Sequence, residues 1–370
     1  MSYAQYAQQT YALNLDQAKA LILAIGWLRT VLLQGHMGTG KSSLLTEISE
    51  ALPDHIACFF DCTTKDLGDI TIPNIAKLDD GTGYVTYLTN EELGAHNNKP
   101  IILMIDEFGK ANPAVKNALL RLILERKIGS YTLHPDSIIF ATTNLGSEGV
   151  GDLLPAHARN RITVVETKKP TAMEWVEWGI SNGVDHTILG WVKETPEVMQ
   201  DFRDVPNPYD NQYIFHPKAV DRAAFCTPRS LHAASDILQR REGLDDDTLQ
   251  AALIGTIGTR AAADFMSFLK LADQLPSLES IKNDPDNATV PTSQAAVCMV
   301  VFKALSALER DWADAWMTYV NRLDKEAQGL FANGVRSSKY NKTKQSMIMQ
   351  NKLFTQWAME NNYMFAADKV

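Results

Sequence analysis

The chain has 370 residues, too long for one ordinary hydrophobic core, which points to about two or three domains. With 45% hydrophobic and 21% charged residues it belongs to the globular class and not to the disordered one. A net charge of −9 and a pI near 5.4 argue against non-specific attachment to nucleic acid, although a local basic groove is still compatible with them.

Residues 1–14 are polar and aromatic with little periodicity, and the opening "MSYAQYAQQT" has no signal-peptide pattern, so the expectation is a cytoplasmic protein. The most membrane-like run, "ALILAIGWLRTVLLQG" (Ala20–Gly35), is interrupted by Arg29 and is shorter than the ~20 residues a span needs. It reads as the end of a helix over Leu15–Leu28 followed by a buried strand over Thr30–Gln34. The spacing of "SLLTEISEAL" predicts a helix that Pro53 stops, and "HIACFFDC" predicts a second strand. The DDGTG turn in "TIPNIAKLDDGTGYVTYL" (Thr71–Leu88) separates two alternating segments and predicts a hairpin. "PIILMIDEF" is an apolar strand ending in two acids. "NPAVKNALLRLILERK" is an amphipathic helix with Asn112 as its cap and Pro113 in its first turn. "DSIIFATTN" and "RITVVE" complete the strands. Strands alternating with helices imply an α/β fold with a parallel sheet.

After Lys168 the pattern changes. From Pro170 to about Arg241 it is helical, interrupted by a loop over Arg203–Pro217. From Thr248 onward nearly everything reads as helix, including one long stretch "TLQAALIGTIGTRAAADFMSFLKLADQL", and no internal repeat is visible. The basic "RSSKYNKTKQ" (Arg336–Gln345) reads either as a solvated loop or as a nucleic-acid contact through its tyrosine. Cys58, Cys62, Cys226 and Cys298 show neither CxxC nor zinc spacing, which fits free thiols in a reducing compartment. No Ser-His-Asp, Cys-His or metal-helix arrangement stands out.

Three short segments carry chemistry. "GHMGTGKS" fits G-x-x-x-x-G-K-[ST], follows a predicted strand and opens a predicted helix. In such a loop the backbone of Gly35, His36, Met37, Gly38, Thr39 and Gly40 curls around phosphate oxygens, and the helix start at Ser43 adds its positive end. Lys41 then reaches the β- and γ-phosphates of ATP, and the Ser42 hydroxyl ligates Mg²⁺. "IILMIDE" delivers Asp106 and Glu107 to the carboxyl edge of a sheet. There Asp106 holds Mg²⁺ and Glu107 orients or deprotonates the attacking water. "FATTN" ends in Asn144, placed to hydrogen-bond a γ-phosphate or that water. A glycine turn with a surface lysine and two solvated acids is the plainer alternative, but it leaves the strand-loop-helix context unexplained.

On these motifs the chain resembles the AAA+ ATPases, and within them the MoxR type. "GHMGTGKS" is similar to a Walker A motif, "IILMIDE" to Walker B, "ATTN" to sensor 1, "LLPAHARNRI" to an arginine-finger segment and "TPRSL" to sensor 2. The hairpin near Thr71–Leu88 occupies the place of that group's helix-2 insert, and "IGSYTLHPDSI" that of its pre-sensor-1 hairpin. The resemblance implies a P-loop sheet over 15–168, a helical lid over 169–245 and a helical C-terminal region over 246–370. It also implies catalytic roles for Asn144, Arg229 and the neighbouring Arg159 and Arg161. An arginine beyond the sensor-1 strand serves a neighbour's nucleotide, so a homo-oligomer, most simply a hexameric ring, is expected. The resemblance further implies a chaperone-like remodeller of a client protein, sometimes working with a von Willebrand A-domain partner, without nucleic acid or membrane. A nucleic-acid motor and a nucleotide-gated scaffold without turnover are the competing readings. Tyr84 and Tyr87 in the hairpin are the candidate pore aromatics.

Overall fold

Asn14 caps the first helix in both directions. Its side chain accepts from the Gln17 amide at 2.8 Å, and its own amide donates to Gln17 Oε1 at 3.0 Å. Helix α1 (Leu15–Ile25) therefore starts where the polar segment ends, and strand β1 (Val31–Gly35) follows it. Helix α2 (Ser43–Ala51), strand β2 (Ile56–Asp61) and the hairpin β3 (Thr71–Lys77) with β4 (Gly83–Thr89) come next, close to the expected bounds. Strand β5 (Ile101–Asp106) leads into helix α3 (Pro113–Glu125). A two-residue ladder, β6 (Lys127–Ile128) and β7 (Tyr131–Thr132), precedes β8 (Ile138–Thr143) and β9 (Thr163–Thr167). The computed structural model describes residues 11–145, 160–272 and 275–365. The chain divides into two units, Met1–Lys169 and Pro170–Val370.

In the first unit five strands form one parallel sheet in the order β2-β5-β8-β1-β9. Alternate residues of each strand face opposite sides. Leu32, Leu103, Ile105, Ile139 and Ala141 pack with Val115, Leu119 and Leu122 of α3. Val31, Leu33, Met104 and Phe140 pack with Ala18 and Ile22 of α1 and Leu44 and Ile48 of α2. Both faces are thus covered, which is why these strands read as continuous apolar runs. The β3–β4 hairpin lies outside this sheet and exposes Ile72, Ile75, Tyr84, Val85, Tyr87 and Leu88.

The second unit is helical. Helices α4 (Ala172–Ser181), α5 (His186–Glu194), α6 (Pro228–Leu238), α7 (Asp246–Ile257) and α8 (Thr259–Ala272) share a buried core with the helix at Gln294–Ala307 and those after it. Three expectations change. The long helix predicted from Thr248 is two helices, because Gly258 adopts φ 92 and breaks the run between α7 and α8. The irregular stretch runs from Thr195 to Thr227 with only two short 3-10 turns, longer than the loop expected at 203–217. Within it the Arg222 guanidinium donates to the carbonyls of Asn211 (2.9 Å) and Ile214 (2.7 Å), which takes over backbone pairing that a helix would provide. Finally, the tyrosine of "RSSKYNKTKQ" is not a surface aromatic. Tyr340 is buried, and its hydroxyl donates to the Leu305 carbonyl at 2.7 Å. That ring is closed to base stacking.

All four cysteines are free and buried. No helix among the described residues is long and apolar enough to cross a membrane. A Cβ built on Gly258 lies 2.5 Å from the Ala224 carbonyl oxygen, so this position rejects a side chain both by φ and by space. Gly258→Ala is expected to lower unfolding stability by about 1–3 kcal/mol, read from thermal or denaturant unfolding.

Candidate functional site

Parallel register brings the ends of β1, β8 and β5 to one edge, with β8 in the middle. Gln34 pairs with Thr143, and Ile105 pairs with Ala141, so Asp106 and Thr142 fall side by side. The P-loop therefore lies on one side of the β8 tip and the two acids on the other.

The loop "GHMGTGKS" takes the hairpin-like course its glycines permit. Gly38 and Gly40 have φ 68 and 94, values that other residues rarely adopt. Gly35 serves by size: a Cβ there lies 2.0 Å from Thr167 Oγ1 on β9. Inside the loop Thr39 Oγ1 donates to the His36 carbonyl at 2.9 Å and Ser43 Oγ to the Gly40 carbonyl at 2.7 Å. His36, Thr39 and Lys41 are buried, while Met37, Gly38, Gly40 and Ser42 are half-buried. Lys41 Nζ donates to the carbonyls of Gly35 (2.8 Å) and His36 (2.7 Å) and, across the sheet edge, to Asn144 Oδ1 at 3.3 Å. The expected phosphate lysine is thus held centrally by the loop's own oxygens.

The other half of the site is built on β5 and β8. Ser42 Oγ donates to Asp106 Oδ2 at 3.4 Å, and Thr142 Oγ1 donates to Asp106 Oδ1. Glu107 leaves the strand in the left-handed region, φ 50 and ψ 35, which is uncommon for a side chain of this size. Its Oε1 accepts from Asn144 Nδ2 at 3.2 Å, and its Oε2 forms an ion pair with Lys110 Nζ at 3.1 Å. Asn144 therefore bridges Lys41 and Glu107, one with each end of its amide. Ser42 Oγ and Asp106 Oδ2 are adjacent hard oxygen donors, and a Mg²⁺ ion takes one or two protein oxygens beside phosphate and water, so this pair fits that ion.

The sequence-predicted residues Gly35, His36, Met37, Gly38, Thr39, Gly40, Lys41, Ser42, Ser43, Asp106, Glu107 and Asn144 thus share one edge. Arg161 does not join them. It is exposed just before β9, whose first residue Thr163 pairs with Val31 and whose last, Thr167, pairs with Gly35. The arginine is at the opposite, N-terminal edge of the sheet. Arg159 lies outside the described residues. Arg229 is exposed in the first turn of α6, behind the Thr227 cap and Pro228, within the second unit. Three contributors were not foreseen. Thr142 was signalled by the polar "TTN" tip. Lys110 has no signal until the turn after Glu107 is known. Leu13, which bridges to Thr167 beside the P-loop strand, has none.

Residues 30–157, roughly a third of the chain, match the family model described as AAA domain (dynein-related subfamily). No curated protein matches the chain. Among solved structures it is similar to the Thermotoga maritima RuvB Holliday junction branch migration motor, at 18% identity over 73% of this chain and 74% of that one, with a TM-score of 0.35. It is similar also to a putative ATPase from Cytophaga hutchinsonii, at 13% identity over 70% and 90%, with a TM-score of 0.33. The parallel five-stranded sheet with helices on both faces, joined to a helical C-terminal region, is the P-loop AAA+ fold. The family match is broader than the MoxR type.

Beside the acids, burial and the nearby carboxylates of Asp61 and Asp106 push the Cys62 thiol up to about 12, against the opposing pull of Lys116. Cys62 is therefore a neutral, buried thiol at ordinary pH. Its raised value stabilises the fold below the ordinary thiol range, a contribution lost as pH rises from about 9 to about 12. Alkylation of Cys62 at pH 8 is expected to be about 10³-fold slower in the folded chain than after unfolding, read by peptide mass spectrometry.

Proposed function

We propose that this chain is a Mg²⁺-dependent ATPase that hydrolyses ATP to ADP and phosphate in a ring of identical subunits, most simply a hexamer. Its turnover remodels, assembles or activates a partner protein in the manner of the MoxR-type ATPases. The observation that carries the reading is the bridge made by Asn144, which joins Lys41 at 3.3 Å to Glu107 at 3.2 Å. A lysine, an amide and a carboxylate in that order are the groups a γ-phosphate and its attacking water require. The AAA domain match over residues 30–157 supports the same reading.

Each residue has a definite task. Glycine-rich backbone amides and Lys41 bind and orient the triphosphate. Asn144 fixes the position of the water relative to the γ-phosphate. Glu107 accepts the water's proton as the new P–O bond forms and the β–γ bridge breaks. Ser42 and Asp106 would hold Mg²⁺, whose chemistry is to neutralise charge on the β- and γ-oxygens. Arg161 precedes β9, whose four steps from Thr163 to Thr167 alone span about 13 Å at ~3.3 Å per residue, and so lies away from its own P-loop. We assign it to a neighbour's nucleotide, the role that makes the assembly a ring. Arg229 is the second arginine assigned to the γ-phosphate and couples nucleotide state to the helical region. Arg159 is assigned beside Arg161. The client, including any von Willebrand A-domain partner, is to be sought at the exposed hairpin with Tyr84 and Tyr87.

Glu107→Gln is expected to retain ATP binding and to lower steady-state turnover by about 10²–10⁴-fold. Unchanged turnover sinks the assignment, and wild-type chain that binds ATP without any turnover is instead a nucleotide-gated scaffold. Arg161→Ala should spare ATP binding and cut hydrolysis by about 10³-fold or more. Mixing Arg161→Ala with Lys41→Ala subunits should recover part of the rate, because some interfaces then join an intact site to an intact finger. No recovery on mixing, with both variants still assembled, removes the trans role of Arg161.

A further inference from the structure

The pairing of Lys110 with Glu107 is not explained by phosphate binding. Lys110 follows Glu107 by three residues, and the turn between them is a 3-10 turn at Phe108–Lys110. The Lys110 amide donates to the Glu107 carbonyl at 2.9 Å, and the Lys110 ammonium returns to Glu107 Oε2 at 3.1 Å. The same turn is anchored from α3, where Lys116 Nζ donates to the Gly109 carbonyl at 2.6 Å. Phe108 and Gly109 of the turn are themselves buried.

This arrangement follows from the backbone of Glu107. A left-handed residue at a strand end sends its side chain off the course that the strand would give it. Fixing Cβ leaves the carboxylate free to rotate about its remaining bonds. Two partners then flank it: Asn144, just after β8, hydrogen-bonds Oε1, and the Lys110 ammonium from the turn is the ion-pair partner of Oε2, a buried oxygen that accepts no hydrogen bond. Asn144 also holds Lys41, so it is shared with the phosphate side. Lys110 is the partner that belongs to Glu107 alone among the described contacts of that carboxylate.

We propose that Lys110 is a positioning residue for hydrolysis: its ammonium sets the direction of the Glu107 carboxylate, without itself touching nucleotide. The proposal rests on the ATPase reading and deepens it. Lys110 is 40% exposed and its partner 27%, and ion pairs at such exposure add little to stability. Its removal therefore leaves the fold in place and exposes its effect on the reaction. Aiming a general base counts in the transition state and hardly at all in ground-state binding.

The test is steady-state ATPase kinetics on the full chain with Lys110→Met, Lys110→Arg and Glu107→Gln, alone and combined, with nucleotide binding and melting temperature measured in parallel. Lys110→Met is expected to lower kcat about 10-fold, with KM for ATP and ATP binding within about 2-fold of wild type. Lys110→Arg should restore kcat to within about 3-fold, since its guanidinium keeps the charge and the reach. In the Glu107→Gln background Lys110→Met should change the residual rate by less than about 2-fold, because its effect passes through the carboxylate. Unchanged kcat in Lys110→Met overturns the proposal and leaves the pair an ion pair without a part in turnover. Parallel loss of ATP binding overturns it too, as does a full additive loss in the Glu107→Gln background. If the wild type has no turnover, or Glu107→Gln turns over normally, the ATPase reading fails first and the proposal falls with it.

Discussion

The position of β8 between β1 and β5 is the constraint on which the site depends. Parallel register sends all three strand ends to one edge, and the middle strand decides what lies between the phosphate loop and the acids. Because β8 ends in Thr142 and Thr143 and is followed by Asn144, that space is filled by hydrogen-bonding groups and not by apolar ones. Thr142 donates to Asp106, and Asn144 reaches both Lys41 and Glu107. All three tip residues are buried, so each of these polar groups needs a partner. Core formation and site formation are thus one event: the packing of Ile139, Phe140 and Ala141 against both helix layers sets the height of Asn144.

Space and backbone hand constrain the P-loop as well. Gly35 is the last residue of β1, flanked by β9 on the side away from β8. Thr167 occupies the volume any side chain there would need, while its hydroxyl donates to the Gln34 carbonyl at 3.2 Å. One glycine is required by packing and two others by positive φ. The motif's spacing records two different physical demands.

Much of this was legible in the sequence. Unbroken apolar runs at Ile101–Ile105 and Ile138–Ala141 mark strands buried on both faces, and the P-loop spacing locates a phosphate cradle between a strand and a helix. What could not be read depends on backbone hand or on distant neighbours. Glu107 is left-handed, and only that fact turns Lys110 back onto it. Gly258 looks like a tolerated glycine in a helical stretch until the Ala224 carbonyl is known to press on it. Tyr340 sits among basic residues in a polar segment, yet Leu305, 35 residues earlier, supplies its hydroxyl's acceptor and makes it a core residue. The segment read as a solvated loop is loop only over 337–341, between helices ending at Arg336 and starting at Lys342, and its one ring is in the core.

The polarity of the sheet also bears on the arginines. In a parallel sheet every strand has its carboxyl end at the nucleotide edge, so a residue immediately before a strand belongs to the other edge. Arg161 precedes β9, and β9 is an edge strand paired only with β1 among the sheet's strands. No rotation of its side chain spans the length of that strand. A charged, exposed group placed there is therefore either idle or directed outward from the subunit. Phosphoryl transfer at a P-loop gains from a cation supplied from outside the site's own sheet edge. Strand direction thus takes Arg161 away from its own P-loop edge, which the sequence motif alone does not convey.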